Sequence, residues 1–132
     1  MRELADRAVA IREKAYAPYS GYKVGAAVLD SDGNIWVGTN VENISYGLTI
    51  CAERSAMSAM VAGGGKHIRA VAVATHDGGS PCGACLQCLY EFHEAGEGLT
   101  IVCVDAKGSI NMRDLSEFLP FVFESEQVNR TV

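Results

Sequence analysis

The sequence predicts an α/β fold in which helices pack on the faces of a mixed sheet. After an initial helix, its periodic segments follow in the order strand, strand, helix, strand, helix, strand, which is typical of that architecture. Hydrophobic residues make up 48% of the chain and charged residues 20%, the balance of a soluble globular protein. No internal repeat or linker divides the 132 residues, so residues 1–132 are predicted to form one domain.

The first third of the chain predicts a helix followed by a hairpin. Residues 2–16 place apolar side chains at helical spacing, and Pro18 ends the helix. Residues 22–29 and 34–39 are predicted strands, and Asp-Ser-Asp-Gly at 30–33 is the chemistry of a tight turn. The two strands should therefore pair as a hairpin.

Two core helices and a buried strand are predicted in the middle of the chain. Residues 51–62 are rich in Ala and Met and predict a helix, which the three glycines at 63–65 end. Residues 68–74 predict a strand buried on both faces. After a polar, Gly-rich loop, Pro81 stands at the start of a second helix predicted over 82–95.

The last third predicts a strand over 99–104, a turn at 106–108, a short strand and a final segment over 114–119. Each core helix connects one strand to the next, so the strands on either side of it are predicted to run parallel.

The charge and the cysteine content indicate which binding partners and which cellular compartment to expect. The net charge is −5, and no Lys/Arg cluster is present to attract phosphates, so no nucleic-acid partner is expected. No apolar run is long enough to span a bilayer, and the charged N-terminus does not resemble a signal peptide. Five cysteines without an export signal favour reduced thiols in the cytoplasm. A small neutral substrate suits this balance.

Three of the cysteines stand at the beginnings of predicted helices and suggest a metal site. Cys82 and Cys85 are three residues apart and share a helical face, and Cys51 begins the other helix. Thiolates favour zinc, and a helix N-terminus lowers the pKa of a thiol. Because three ligands leave one position open for water, the count indicates one catalytic zinc ion per chain rather than a structural one.

The other two cysteines are not predicted ligands. Cys88 lies one turn beyond Cys85, and three ligands stacked on one helix would not surround an ion tetrahedrally. Cys103 lies within an apolar strand, where a free cysteine packs as a small hydrophobic residue. Taken alone, the pair Cys82 and Cys85 is also compatible with a redox dithiol or with chance.

Glu53 is the candidate catalytic residue. It lies two residues after Cys51, in the first turn of the helix, where side chains lean back toward the helix N-terminus and thus toward the metal. Zinc lowers the pKa of its water, and a carboxylate beside that water can take and return the protons that replacement of an amino group requires. The alternative is a carboxylate that only stabilises the helix dipole.

Arg54 is predicted to support the metal site. Three thiolates and Zn²⁺ sum to one negative charge, which weakens the pull of the metal on its water. Arg54 follows Cys51 by three residues on the same helical face, so we predict that it donates to the thiolates. The alternative is an ordinary surface arginine.

The ordered motifs resemble those of the small, three-cysteine, zinc-dependent cytidine deaminases. Cys-Ala-Glu followed by Pro-Cys-Gly-Ala-Cys is the signature of zinc deaminases. The resemblance extends from Tyr19 to about Phe123. Its pieces are Tyr19-Ser20, Val24-Gly25-Ala26-Ala27, Asn40-Val41-Glu42-Asn43, Cys51-Ala52-Glu53-Arg54, Pro81-Cys82-Gly83-Ala84-Cys85, Gln87, Leu119-Pro120 and Phe123. It implies a three-layer α/β/α fold with a mixed five-stranded sheet, usually assembled as a homotetramer.

The resemblance also implies roles for individual residues. Cys51, Cys82 and Cys85 would ligate zinc, and Glu53 would shuttle protons. Asn40 and Glu42 match the pair that hydrogen-bonds the ribose hydroxyls, although Asn40 alone is also typical of a turn. The base-binding positions match Tyr22 and the backbone around Ala52 and Cys82, and the positions that close a neighbouring subunit's pocket match Tyr46 and Phe123.

Two positions depart from the family pattern. Tyr22 stands where the family usually has Phe, at the wall of the base pocket, and its added hydroxyl needs a partner. Leu86 stands where the family usually has Arg, immediately after the last predicted ligand. These departures concern substrate preference and assembly rather than the class of reaction.

The function expected from the sequence is zinc-dependent hydrolytic deamination of cytidine and 2′-deoxycytidine in pyrimidine salvage. The main alternative is the same chemistry on a modified cytidine or on a cytosine-containing aminonucleoside antibiotic of the blasticidin-S kind. A zinc-stabilised domain without activity is a third hypothesis, and the presence of Glu53 argues against it.

Overall fold

The chain folds around one five-stranded sheet, seen in a computed structural model that describes residues 1–124. The predicted domain of residues 1–132 thus ends with eight residues, 125–132, outside the described part. The elements in chain order are α1 (Arg2–Arg12), β1 (Gly25–Asp30), β2 (Ile35–Thr39), a single 3₁₀ turn (Tyr46–Leu48), α2 (Ala52–Ala62), β3 (Ile68–Ala74), α3 (Gly83–Glu91), β4 (Thr100–Val104), β5 (Ile110–Asp114) and α4 (Leu115–Phe118). Every helix within residues 1–124 is too short or too polar to cross a bilayer.

The sheet is mixed, as the sequence predicted. Its strand order is β2-β1-β3-β4-β5, and β3 and β4 are the parallel pair while the other neighbours are antiparallel. β1 and β2 form the predicted hairpin. Because β1 lies between β2 and β3 and is antiparallel to both, β2 and β3 run in the same direction without touching.

Helices cover both faces of the sheet, which gives the predicted three layers. On one face, α1 packs its buried Leu4, Ala5 and Ala8 against alternate side chains of β3 such as Ala70 and Ala72. On the other face, α2 and α3 pack against a second set of buried strand residues. That cluster includes Ala26, Val28, Ala52, Ala56, Met60, Val71, Val73, Leu86, Leu89 and Ile101.

Three elements begin or end three or more residues inside their predicted bounds, where tertiary hydrogen bonds replace the local ones. The first helix ends at Arg12 rather than at residue 16, since the Tyr16 amide donates to the Asn40 carbonyl at 3.1 Å. The second core helix ends at Glu91 rather than at residue 95, where the Phe92 carbonyl accepts from the Ile68 amide at 2.8 Å. The first strand begins at Gly25 rather than at residue 22.

Candidate active site and metal centre

Cys51 and Cys82 occupy equivalent positions at the N-termini of α2 and α3. Each is the residue before the first helical turn, with an extended backbone (φ −74°, ψ 152° and φ −73°, ψ 165°) and no hydrogen bond from its side chain to the helix. Their thiols therefore remain available to a metal ion. Cys85 lies one turn into α3 and is buried.

The sulphur atoms of Cys51, Cys82 and Cys85 all lie within 4.8 Å of one another. Zn–S bonds of about 2.3 Å at tetrahedral angles would separate ligand sulphurs by about 3.8 Å, so the group needs little adjustment to hold zinc. Within residues 1–124 this is the one cluster of three or more such side chains placed to bind a metal ion, and neither Cys88 nor Cys103 belongs to it. The expectation of a zinc cofactor is confirmed.

Hydrogen bonding among the thiols favours a thiolate at Cys51. The bond from Cys85 is the largest influence on Cys51 and, with Arg54, lowers the pKa of Cys51 to about 5. The same bond raises the pKa of Cys85, which acts as the donor. A charged, soft sulphur ligand is thus ready in this cluster near neutral pH.

Arg54 lies beside the cysteine cluster. Its Nη2 donates to the Sγ of Cys51 at 3.5 Å, and this bond is the main reason that the pKa of the guanidinium is raised. Its Nε is buried and has no hydrogen-bond partner among the described residues. The predicted contact is therefore present, while the effect of Arg54 on catalysis stays a prediction.

Glu53 is buried in the first turn of α2, with 4% of its surface exposed. Burial disfavours the charged carboxylate and raises the pKa of Glu53 to about 7. A carboxyl group with that pKa exchanges protons readily near neutrality, which is the property required of a general acid and base.

A cavity of about 230 Å³ opens in front of Glu53, Cys51 and Cys82. The predicted residues Tyr22, Asn40 and Ala52 also line this cavity. The complete lining is Tyr22, Val24, Asn40, Thr49, Cys51, Ala52, Glu53, Val73, Thr75, Ser80 and Cys82. Residues from five separate stretches of the chain thus meet at one end of the sheet.

The remaining predicted residues lie outside this cavity. Glu42 and Tyr46 line an adjacent cavity, which shares Thr49 with the first. Phe123 is 61% exposed, and its carbonyl accepts from the Nε2 of Gln87 at 3.0 Å. The single chain therefore does not place Glu42, Tyr46 or Phe123 in the cavity in front of Glu53.

The structure accounts for both residues that depart from the family pattern, Tyr22 and Leu86. The Tyr22 hydroxyl donates to the Oδ1 of Asp77 at 2.7 Å, which provides the partner that it needs. Leu86 is 5% exposed and packs in the core between the sheet and the helices. Asp77 was not predicted as a site residue, because its loop carries no signal beyond polar residues and glycines.

The chain is similar to known proteins over most of its length. Residues 1–97 match the family model described as the cytidine and deoxycytidylate deaminase zinc-binding region. The chain is 41% identical over 128 residues to a cytidine deaminase of Halalkalibacterium halodurans, which covers 96% of each chain. It is 40% identical over 120 residues to a cytidine deaminase of Sporosarcina psychrophila, covering 89% of this chain and 87% of that one.

Solved structures extend the likeness to three dimensions. The crystal structure of cytidine deaminase from Burkholderia pseudomallei superposes with a TM-score of 0.84 at 42% identity, covering 92% of this chain and 97% of that chain. The structure from Mycobacterium tuberculosis gives a TM-score of 0.78 at 36% identity, covering 92% and 95%. The chain belongs to the cytidine and deoxycytidylate deaminase family. The predicted family, its fold and its enzyme class, a deaminating hydrolase, are confirmed.

Proposed function

We propose that the protein hydrolyses the ring amino group of cytidine and 2′-deoxycytidine, giving the corresponding uridines and ammonia for pyrimidine salvage. One observation carries the proposal: a buried carboxyl group, Glu53, lines the same cavity as Cys51 and Cys82, two of the three clustered thiols. The names of the relatives, which are cytidine deaminases, support the choice of nucleoside.

Cys51, Cys82 and Cys85 would hold the zinc ion, and Glu53 would move the protons. When bound, the ion supplies an acidified water as the nucleophile near neutral pH. The reaction forms a bond between the oxygen of one water and the ring carbon, and breaks the bond between that carbon and its amino nitrogen. Glu53 would take one proton from the water and deliver it to the adjacent ring nitrogen. It would then take the second proton from the hydroxyl now bound to the ring carbon and deliver it to the amino group, which leaves as ammonia. Its burial at the cavity that Cys51 and Cys82 also line supports this role.

Arg54 would offset the charge of the thiolates. Its hydrogen bond to Cys51 withdraws electron density from one ligand and so strengthens the pull of the metal on its remaining position. Because the guanidinium stays protonated at every accessible pH, this help does not vary with pH.

Asn40 and Glu42 would bind the ribose. The Asn40 amide already donates to the Tyr22 carbonyl at 2.8 Å and accepts from the Val24 amide at 2.9 Å, which leaves one N–H for a ligand. Hydrogen bonds, led by that from the Ser20 hydroxyl, lower the pKa of Glu42. An ionised Glu42 can accept from sugar hydroxyls as well.

The base would lie between the Tyr22 ring and the helix N-termini. Backbone groups around Ala52 and Cys82 stand at the starts of α2 and α3, where amide N–H groups lack helical partners. These groups can donate to the oxygen of a pyrimidine ring, and the aromatic ring of Tyr22 can pack on its face.

We also propose a homotetramer in which Tyr46 and Phe123 reach a neighbouring subunit's pocket. In the single chain they are 75% and 61% exposed, so both side chains are accessible to a neighbouring subunit. The acidic balance and the free thiols support a cytoplasmic enzyme without nucleic-acid or membrane partners.

The alternative substrate, a modified cytidine or an aminonucleoside, receives less support. The hydroxyl that distinguishes Tyr22 is bound to Asp77 and is not free to recognise a new group. Leu86 is packed in the core and does not line the cavity. Both departures thus leave the cavity suited to the ordinary nucleoside.

The test is turnover of cytidine, followed by ultraviolet absorbance, with zinc content measured on the same sample. We expect the wild type to convert cytidine to uridine and Glu53→Gln to lose at least about a hundredfold in kcat while it retains zinc. Glu13→Gln, at the end of α1 on the opposite face, is the matched control and should match the wild type. Zinc-loaded wild type that leaves cytidine and deoxycytidine intact but deaminates a modified analogue would overturn the proposal.

A further inference from the structure

We propose that Asp77 is a positioning residue, which fixes the Tyr22 ring at the cavity wall and ties it to the loop that leads to Cys82. The inference rests on the proposed function, because its effect is exerted on the nucleoside in that cavity. Asp77 itself does not line the cavity and acts only through Tyr22 and the loop of residues 75–80.

One carboxylate oxygen collects three hydrogen bonds. The Oδ1 of Asp77 accepts from the Tyr22 hydroxyl at 2.7 Å, from the Gly79 amide at 3.1 Å and from the Thr75 hydroxyl at 3.2 Å. The Gly79 amide also donates to the Thr75 hydroxyl at 2.9 Å. The same atom therefore closes the loop on itself and anchors a side chain that lies 55 residues away in the sequence.

Gly79 leaves the space into which the tyrosine hydroxyl fits. A Cβ at this position would lie 2.9 Å from the Tyr22 Oη and 3.3 Å from the Asp77 Oδ1. On the outer side, the His76 ring meets the Tyr22 ring edge-on, with centroids 6.0 Å apart and an interplanar angle of 87°. The loop thus surrounds the tip of the ring on several sides.

The backbone of Tyr22 is held independently of Asp77. Its carbonyl accepts from the Asn40 side chain at 2.8 Å, and its amide donates to the Ser20 hydroxyl at 3.0 Å. The Ser20 hydroxyl in turn donates to Glu42. The residues proposed to bind the ribose therefore fix the base of the side chain, and Asp77 fixes its tip.

This arrangement links substrate binding to the loop before a zinc ligand. Thr75 and Ser80, at the two ends of the loop, line the cavity, and Ser80 is two residues before Cys82. Tyr22 is 39% exposed, so packing alone does not determine where its ring points. Without Asp77, the ring and the loop would sample several positions, and each nucleoside that binds would have to order them again.

The expected result of Asp77→Ala is a rise in KM for cytidine of about three- to tenfold. Of the three hydrogen bonds that are lost, the one from the Tyr22 hydroxyl holds the ring at the cavity, and the net value of one such bond corresponds to that change. Because the chemistry at Glu53 and the thiols is untouched, kcat and zinc content should stay within about twofold of the wild type. Asp77→Asn keeps an acceptor for the hydroxyl, so its KM for cytidine should lie close to the wild-type value.

Asp105→Ala is the matched control. Asp105 lies in the neighbouring loop, pairs with Asp77 through the backbone and caps its own turn by accepting from the Lys107 and Ser109 amides at 2.9 Å. It does not touch Tyr22, so its removal should leave the KM unchanged even if it lowers the melting temperature.

Two double variants that contain Tyr22→Phe distinguish an effect through the hydrogen bond of the Tyr22 hydroxyl from a general effect on the loop. In the Tyr22→Phe background, Asp77→Ala should raise the KM by clearly less than it does in the wild type, since the bond to the hydroxyl is already absent and only the loop bonds from Gly79 and Thr75 remain to be lost. Gly79→Ala should raise the KM of the wild type by displacing the hydroxyl, but should be nearly silent in the Tyr22→Phe background. Equal effects of Asp77→Ala in both backgrounds, or an unchanged KM in Asp77→Ala, would overturn the proposal.

The outcome also distinguishes this proposal from the proposed function. Wild type that deaminates cytidine while Asp77→Ala behaves identically overturns the positioning role alone. Zinc-loaded wild type that neither deaminates nor binds cytidine, measured by calorimetry, overturns both.

Discussion

Replacing Gly38 with alanine should push helix α2 away from the sheet. Gly38 lies in β2, and a Cβ there would stand 2.4 Å from the Ala56 amide nitrogen and 2.8 Å from two atoms of Ser55. Ordinary contacts begin at 3.4 Å, so the helix would have to retreat by about 1 Å where it crosses the strand. Because the nearest obstacle is helix backbone, a change of side-chain rotamer cannot relieve it.

The displacement would separate the two halves of the metal site. The N-terminus of α2 positions Cys51 and Glu53, whereas the N-terminus of α3 positions Cys82 and Cys85. A misplacement of about 1 Å costs on the order of a hundredfold in rate, and overpacking of a core costs about 1–3 kcal/mol. We expect kcat/KM for cytidine to fall by about that factor and zinc to be lost more readily to a chelator.

Gly25→Ala provides a control of equal crowding on the opposite face. Its Cβ would lie 2.2 Å from the Ala8 carbonyl oxygen and 2.7 Å from the Arg12 amide nitrogen, both in α1. Because α1 carries no proposed site residue, this variant should lose similar stability in urea but keep zinc and activity per folded molecule. Equal losses of kcat/KM in both variants, or normal zinc retention and rate in Gly38→Ala, would refute the reasoning.

Two further predictions concern charged groups. Arg54→Ala should lower kcat by about 10- to 100-fold at constant zinc content, since a partner of one ligand is lost; unchanged kinetics would contradict the role. Burial raises the pKa of Asp30, but hydrogen bonds from the Trp36 indole and the Asn34 and Asp32 amides outweigh it and leave the pKa lowered. Its contribution to stability is therefore present above the unfolded pKa of about 4 and is lost as the pH falls through the lower folded value. In urea unfolding, Trp36→Phe should lower the free energy of unfolding by about 1–2 kcal/mol at pH 7 and by less at pH 3. An equal decrease at both pH values would contradict this.

The order and type of the elements could be predicted because they depend on local chemistry. The Asp-Ser-Asp-Gly turn fixes the hairpin: Gly33 has a φ of +87°, and the Asp30 carboxylate accepts from the Asp32 and Asn34 amides. The three glycines after α2 end that helix, and Pro81 precedes α3, both as expected. Such signals lie within a few residues of the feature that they determine.

Element ends and the Asp77 contact could not be predicted, because they depend on residues far away in the chain. The end of α1 depends on a backbone pairing of Tyr16 with the strand region near Val41. The start of β1 depends on the Asn40 side chain, which donates a hydrogen bond to the Tyr22 carbonyl and accepts one from the Val24 amide. The cysteine cluster is the exception, because its spacing and its place at two helix starts are visible in the sequence.

The position of the cavity follows from the register in which β1 pairs with its two neighbours, β2 and β3. Gly25 pairs with Thr39 of β2 on one side and with Ala74 of β3 on the other. β1 is antiparallel to both β2 and β3, so the start of β1 lies beside the ends of the other two strands. The residue that precedes β1, the residue that follows β2 and the residue that follows β3 therefore lie in one row at the same edge of the sheet. Those three residues, Val24, Asn40 and Thr75, all line the cavity.

The helices α2 and α3 complete the site for the same reason. β2 and β3 run in the same direction, so the chain leaves both at this edge and later enters α2 and α3 through Cys51 and Cys82. Ligand sites of α/β proteins form where the carboxyl ends of such strands meet helix N-termini. The fold therefore requires residues that are distant in sequence to meet here, and the chemistry of the cysteines and Glu53 determines what the meeting point can do.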